Sequence, residues 1–132
     1  MASDPLIDAA RAVRERAFAP FSLFKVGAAL EAEDGTIVTG CNVESASYGL
    51  TICAERTAIV KGVSEGQTRF RRVAIVADTQ ELTPPCGACR QLLWEFAPEA
   101  EVLLANLQGK VVRWTIRELL PAAFDASLLR KS

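Results

Sequence analysis

The sequence predicts an α/β protein with three layers, in which helices cover both faces of a mixed five-stranded sheet. The main observation is the order of helix-like and strand-like segments along the chain, α-β-β-α-β-α-β-β-α. A second is the continuously apolar run at 73–77, which is typical of a strand covered on both faces. The third is length, because 132 residues can build one hydrophobic core but not two. We therefore expect a single domain over residues 1–132.

The first three elements are predicted from capping residues and apolar spacing. Asp4 before Pro5 is typical of a helix start, and apolar residues at helical spacing predict a helix that ends near Phe18. The runs 24–30 and 37–40 predict two strands. Because turn-forming residues separate these strands, we expect them to pair antiparallel as a hairpin.

The rest of the chain is divided by glycines, prolines and turn residues. Its predicted elements are a helix at 52–63, the strand at 73–77, a helix at 86–97, strands at 102–105 and 111–114 joined by a turn at 106–109, and a short last helix opened by a capping box at 115–118.

The composition excludes several classes of chemistry. The chain has no histidine, so Ser-His-Asp, Cys-His and His-ligated zinc sites are excluded, and we expect a general base near neutral pH to be Asp or Glu. The net charge of −1 and the pI of about 5.5 give no electrostatic reason to expect a nucleic-acid or membrane partner. The basic cluster at 69–72 could contact RNA, but we interpret it as a solvated lead-in to the next strand.

The compartment is predicted from the N-terminus and the cysteines. Met1 to Pro5 contains no basic or apolar leader, and no apolar run approaches the ~20 residues that span a bilayer. We expect a cytoplasmic protein whose cysteines bind metal or do redox chemistry rather than form disulfides. These cysteines are Cys41, Cys53, Cys86 and Cys89.

Two short motifs indicate a metal site. Cys86 and Cys89 lie three residues apart at a predicted helix start, which fits a redox pair, half of a structural zinc site or two ligands of a catalytic zinc. Cys53 and Glu55 add a third thiol and a carboxylate at another helix start. Three cysteines leave the fourth tetrahedral position of zinc free for water, and Glu55 can reach that water. This combination indicates a hydrolytic site.

Zinc with three thiolates has a net charge of −1, so a positive charge nearby is expected to offset it. The N-termini of the two helices supply part of that charge. Arg56 and Arg90 follow the ligand motifs and are expected to donate hydrogen bonds to sulfur, although both could be surface residues. We interpret Cys41 as a small buried residue, with a fourth zinc ligand as the alternative.

Five ordered blocks of sequence resemble the short, homotetrameric cytidine deaminases, whose zinc site is built from three cysteines. The pattern Cys-x-Glu followed by Pro-Cys-x-x-Cys is that of zinc-dependent deaminases, in which the glutamate moves protons without binding metal. The blocks lie at 20–29, 40–44, 53–58, 85–91 and 118–124 and extend over nearly the whole chain. The resemblance implies a cytidine deaminase-like fold and a homotetramer whose active sites are completed by neighbouring subunits.

The resemblance also implies an activity, the zinc-dependent hydrolytic deamination of free cytidine and deoxycytidine in pyrimidine salvage. Carried over by position, it implies one zinc on Cys53, Cys86 and Cys89, with Glu55 as the acid and base. It further implies that Asn42 and Glu44 bind the ribose hydroxyls, that Phe24 packs on the pyrimidine, that Ala54 contacts substrate, and that Phe124 enters a neighbour's site.

Alternatives remain at this point. Asn42 and Glu44 could belong to a polar loop, and Phe24 and Phe124 could pack in the core. The enzyme could deaminate an aminonucleoside antibiotic such as blasticidin S. A non-catalytic module with a structural four-cysteine zinc site is the remaining possibility.

Overall fold

The computed structural model of the chain describes residues 4–129, so Met1, Ala2 and Ser3, on which the expectation about a leader partly rests, lie outside the described residues. The strands are β1 (Val26–Ala32), β2 (Ile37–Cys41), β3 (Phe70–Ala77), β4 (Glu101–Ala105) and β5 (Val111–Thr115). The α-helices are α1 (Pro5–Arg14), α2 (Ala54–Ser64), α3 (Gly87–Phe96) and α4 (Ile116–Leu119). Two 3₁₀ turns at Tyr48–Leu50 and Ala126–Leu129 were not predicted.

The five strands form one sheet in the order β2-β1-β3-β4-β5. The β3–β4 pair is parallel, and α3 provides the crossover between its strands. The other three pairs are antiparallel, including the predicted β1–β2 hairpin. The prediction of a mixed five-stranded sheet is therefore confirmed.

The two faces of the sheet are covered by different helices. On one face Leu6 and Ala10 of α1 pack against a small group of strand residues: Ala29, Ala74, Val76, Leu103 and Ala105. The other face, which includes Val73 and Ile75, packs against α2, α3 and α4. Successive side chains of β3 and β4 point to opposite faces of the sheet, so each strand contributes residues to the apolar packing on both faces. This explains why these strands are apolar without interruption.

The first helix is shorter than predicted. Asp4 caps it through a hydrogen bond from the Leu6 amide to Oδ1 (2.9 Å), but the α-helix ends at Arg14 rather than near Phe18. The Phe18 amide donates to the Asn42 carbonyl (3.0 Å), and its own carbonyl accepts from the Glu44 amide (2.8 Å). The pairing of Phe18 with the segment after β2 thus overrides the local helical spacing.

Most of the basic cluster at 69–72 belongs to the sheet, and only Arg69 precedes β3 as predicted. β3 already begins at Phe70, whose side chain is buried. Arg71 and Arg72 form ion pairs with Glu31 and Asp4.

In the part of the chain that the structure describes, no helix is long and apolar enough to cross a membrane.

Two glycines let helices approach the sheet closely. A β-carbon at Gly27 would lie 1.9 Å from the Ala10 carbonyl of α1. A β-carbon at Gly40 would lie 2.4 Å from the Ala58 amide nitrogen and 2.8 Å from the Ala54 carbonyl of α2. The missing side chain of Gly40 therefore sets how close the first turn of α2 lies to β2.

Replacing Gly40 by alanine is expected to lower the free energy of unfolding by about 1–3 kcal/mol, because α2 has to move away from β2. Urea denaturation measures the change. The matched control is Gly49→Ala, since a β-carbon at Gly49 would meet nothing within 4 Å. Equal stability of the two variants would contradict a constraint at Gly40.

Candidate metal and catalytic site

The three predicted zinc ligands lie at the start of two neighbouring helices. Cys53 is the residue before α2, Cys86 is the residue before α3, and Cys89 lies in the first turn of α3. Cys89 is fully buried (0% exposed), Cys53 is half-buried and Cys86 is exposed. Both helices pack on the same face of the sheet, so their N-terminal ends and these sulfurs come together.

The sulfur positions fit a tetrahedral zinc ion. The Sγ atoms of Cys53 and Cys86 are 3.8 Å apart, those of Cys86 and Cys89 are 3.3 Å apart, and all three lie within 4.8 Å of one another. With Zn–S bonds of about 2.3 Å, tetrahedral geometry requires S···S separations of about 3.8 Å. None of these cysteines is in a disulfide. The donor set is therefore suited to one zinc ion.

Cys41 does not belong to this cluster. Gly40 faces α2, and neighbouring residues of a strand point to opposite faces, so Cys41 points to the face that α1 covers. Its register partner Gly27 packs on α1 from that same face. Among the described residues, the cysteines that can share one ion are Cys53, Cys86 and Cys89. Cys41 is half-buried rather than fully buried, which corrects the prediction in part.

Cys53 and Cys89 differ in how readily their thiols lose a proton. Hydrogen bonding from the Cys89 thiol, with smaller contributions from Cys86 and Arg56, lowers the pKa of Cys53 to about 5 despite burial. The same hydrogen bond to Cys53, together with burial, raises the pKa of Cys89. Cys53 thus forms a thiolate readily, whereas Cys89 retains its proton. Metal binding has to displace the Cys89 proton, which makes metal affinity dependent on pH.

The Arg56 guanidinium lies beside the cluster. Its Nη2 donates to the Thr51 carbonyl (3.0 Å), and its Nε is buried without a hydrogen-bond partner among the described residues. Burial lowers the pKa of Arg56, but hydrogen bonding and charge attraction to Cys53 outweigh that effect and raise it. The guanidinium is thus close enough to Cys53 for its charge to act on the sulfur, while the hydrogen bond from Arg56 to sulfur stays a prediction.

Arg90 makes different contacts from those predicted. Its Nε donates to the Pro85 carbonyl and its Nη1 to the Leu119 carbonyl, each at 2.8 Å. The guanidinium therefore ties the residue before Cys86 to the end of α4, where free carbonyls attract a cation. Arg90 can position the Cys86 loop, but these bonds are not bonds to sulfur.

Glu55 is a buried carboxylate beside the sulfurs. It is the second residue of α2 and is 5% exposed. Burial raises the pKa of Glu55, and the charge of Cys53 raises it further. A general acid and base works best when its pKa is close to the operating pH, so the shift is in the useful direction.

A cleft of about 210 Å³ opens next to this carboxylate. Four of the predicted site residues line it together with Cys53 and Cys86, namely Phe24, Asn42, Ala54 and Glu55. Sequence reasoning missed the remaining lining residues, which are Val26, Thr51, Ile52, Ile75, Thr83 and Pro84. Val26 and Ile75 carry no signal that distinguishes them from core residues. A larger, shallower hollow of about 540 Å³ lies beside β5, but no cysteine lines it.

Asn42 and Glu44 both form hydrogen bonds with the start of β1 or with the chain just before it. The Asn42 side chain accepts from the Val26 amide (2.9 Å) and donates to the Phe24 carbonyl (2.7 Å). Glu44 accepts from the Phe21 and Ser22 amides at 2.9 and 3.1 Å and from the Ser22 hydroxyl.

Glu44 lies outside the cleft. It lines an adjoining hollow with Phe21, Ser22, Tyr48 and Thr51. Thr51 belongs to both cavities, so Glu44 is next to the cleft mouth. The Ser22 hydroxyl, opposed in part by desolvation, lowers the pKa of Glu44.

Phe24 and Phe124 do not pack in the hydrophobic core, which was the alternative interpretation of both residues. Phe24 precedes β1, lines the cleft and is partly exposed. Phe124 lies after α4, is 56% exposed, and is not among the described residues that line the cleft of its own chain. A role for Phe124 therefore requires a second molecule.

Comparison with known proteins places this geometry in a family. Residues 3–105 match the model of the cytidine and deoxycytidylate deaminase zinc-binding region. The chain is 52% identical over 122 residues to a cytidine deaminase of Halalkalibacterium halodurans, with 92% of each chain covered. It is 35% identical over 107 residues to a blasticidin-S deaminase of Bacillus cereus, with 75% of this chain and 76% of the relative covered.

Comparison with solved structures indicates the same family. The crystal structure of cytidine deaminase from Burkholderia pseudomallei is similar with a TM-score of 0.88 at 48% identity, over 94% of this chain and 100% of that one. The predicted three-layer fold and the three-cysteine zinc site thus occur together with a matching family model. The chain belongs to the family of zinc-dependent cytidine and deoxycytidylate deaminases.

Proposed function

We propose that the chain hydrolyses the exocyclic C–N bond of free cytidine and deoxycytidine, giving the uridine form and ammonia. The observation that carries this proposal is the buried Glu55 carboxylate in a cleft whose wall also holds two of three clustered cysteine sulfurs. A hydrolytic zinc site needs an open fourth position and a nearby base, and this chain has residues for both. The cytidine deaminase relative at 52% identity supports the same reaction.

The chemistry divides between the zinc site and Glu55. Cys53, Cys86 and Cys89 would hold a zinc ion, which would supply a water molecule of lowered pKa. Glu55 accepts a proton from the water and donates it to N3 of the cytosine as the water oxygen bonds to C4. Glu55 then carries the second proton to the amino group, the C4–N bond breaks, and ammonia leaves. One carboxylate suffices because the protons move between neighbouring atoms.

Four residues are proposed to orient the nucleoside. Phe24 packs on the pyrimidine, and Ala54 forms the wall beside Glu55, since both line the cleft. Asn42 and Glu44 bind the ribose hydroxyls. Both side chains have hydrogen-bonding sites left for the ribose. An amide offers four such sites and a carboxylate about four, and bonds within the chain occupy only some of these sites on Asn42 and Glu44.

The charge of the cleft favours a neutral substrate. Glu55 and Glu44 are the carboxylates that line the cleft and the adjoining hollow, and no lysine or arginine lines either within the described residues. A phosphate group would face these carboxylates with no lysine or arginine among the described lining residues to offset the repulsion. The site therefore fits a nucleoside better than a nucleotide.

We also propose a homotetramer whose sites are completed by neighbouring subunits, acting in pyrimidine salvage in the cytoplasm. Exposed apolar side chains near the cleft mouth support association, because such patches mark contact surfaces. They include Phe21, Leu23, Tyr48 and Leu50.

The Glu55→Gln variant is expected to retain about one zinc per chain and to lose about 10²–10⁴-fold in kcat, since the amide keeps the shape but cannot accept a proton. Metal analysis and an ultraviolet assay of cytidine conversion measure the two quantities. The matched control is Glu65→Gln, because Glu65 is exposed at the far end of α2. A Glu55→Gln enzyme with near-normal turnover would refute the assignment.

Substrate choice tests the charge argument. We expect kcat/KM for cytidine to exceed that for cytidine 5′-monophosphate by at least about 100-fold, which corresponds to about 2.8 kcal/mol of repulsion and desolvation opposing the phosphate. Steady-state assays of cytidine, the nucleotide and blasticidin S run side by side decide the matter. A preference for the nucleotide would contradict the expected repulsion between phosphate and the two carboxylates, and a preference for blasticidin S would establish the antibiotic as substrate.

A further inference from the structure

The segment that follows α4 is fastened to the helix that carries two zinc ligands. Arg90 of α3 donates to the Leu119 carbonyl at 2.8 Å. Gln91 donates through Nε2 to the Phe124 carbonyl, also at 2.8 Å. Three residues further along α3, Trp94 donates through Nε1 to Oδ2 of Asp125 at 2.9 Å. One helix thus holds the segment at both of its ends.

Phe124 lies between the last two of these anchors. Its backbone is held on one side by Gln91 and on the other by the Trp94–Asp125 bond. Its ring is nevertheless 56% exposed and is not packed in the core that the described residues form. A residue that contacts a ligand binds better when its backbone is already held in place, because the loop then loses less conformational entropy on binding. Phe124 combines such a held backbone with an exposed aromatic side chain, the kind that often dominates binding energy.

The Gln91 bond is the one that acts on Phe124 directly. Gln91 is half-buried, and its carboxamide reaches the segment from a helix whose other residues include Cys89. Loss of this donor leaves the Phe124 carbonyl to solvent and frees the backbone on one side of the ring. The zinc ligands do not depend on the same bond, since their sulfurs contact one another and not Gln91.

We infer that Gln91 is a positioning residue for substrate binding, which acts by holding Phe124 in the place where it meets the nucleoside in a neighbouring subunit. This inference rests on the proposed contact of Phe124 with substrate. Packing of a ring on the bound nucleoside stabilises the ground state and the transition state alike, so its loss raises KM and leaves kcat unchanged.

The test is a double-mutant cycle on the full-length zinc enzyme. Gln91→Met removes the donor at similar length, and it is expected to raise the KM for cytidine about three- to tenfold, as loss of one hydrogen bond suggests, with kcat within about twofold. In a Phe124→Ala background the same change is expected to add less than about twofold, because residues that act through one another are not additive. Gln91→Glu serves as the second variant, and Gln80→Met at an exposed site is the matched control.

Each outcome decides the matter. An equal effect of Gln91→Met with and without Phe124, or loss of zinc from that variant, would overturn the inference, because Gln91 would then act by another route. If Phe124→Ala raises KM and Gln91→Met does not, the inference fails while the proposed role of Phe124 stands. If Phe124→Ala leaves KM unchanged, the proposed contact itself fails, and the role of Gln91 fails with it.

Discussion

The site depends on the meeting of two helix N-termini on one face of the sheet. Cys53 before α2 and Cys86 before α3 each lie where unpaired amide groups favour a negative sulfur. Sulfurs at 3.3 and 3.8 Å repel one another once they are thiolates, so the arrangement needs positive charge and a rigid support. Gly40 contributes to that support, because its lack of a side chain lets the first turn of α2 lie against β2.

Cationic and acidic groups both lie close to this meeting point. Arg56 and the helix termini lie beside the sulfurs, while the cleft, which Cys53 and Cys86 also line, holds the Glu55 carboxylate and has no basic side chain among its described lining residues. Burial raises the pKa of Glu55, and a carboxylate shifted in that direction can both take and return a proton near neutral pH. The same lack of basic residues makes the cleft unsuited to phosphate.

The parts of this account that sequence could predict depend on local patterns. The hairpin, the capping box at Thr115 and Glu118, and each of the two cysteine motifs follow from residues within a few positions of one another. The meeting of Cys53 with Cys86, 33 residues apart, was expected only because the two motifs together match the pattern of zinc-dependent deaminases. The end of α1 and the partners of Arg90 were predicted wrongly, because Phe18 pairs with the segment after β2 and Arg90 reaches Leu119, 29 residues away. The anchoring of Phe124 by Gln91 likewise joins distant segments, so no local pattern indicates it.

The central claim is that three cysteines hold zinc and leave its fourth position to water. X-ray absorption at the zinc edge of the purified protein tests this most directly, because sulfur and oxygen ligands differ in distance. We expect three sulfurs at about 2.3 Å and one oxygen at about 2.0 Å. A shell of four sulfurs, which would require Cys41 to turn to the other face of the sheet, or a protein that binds no zinc, would contradict the account.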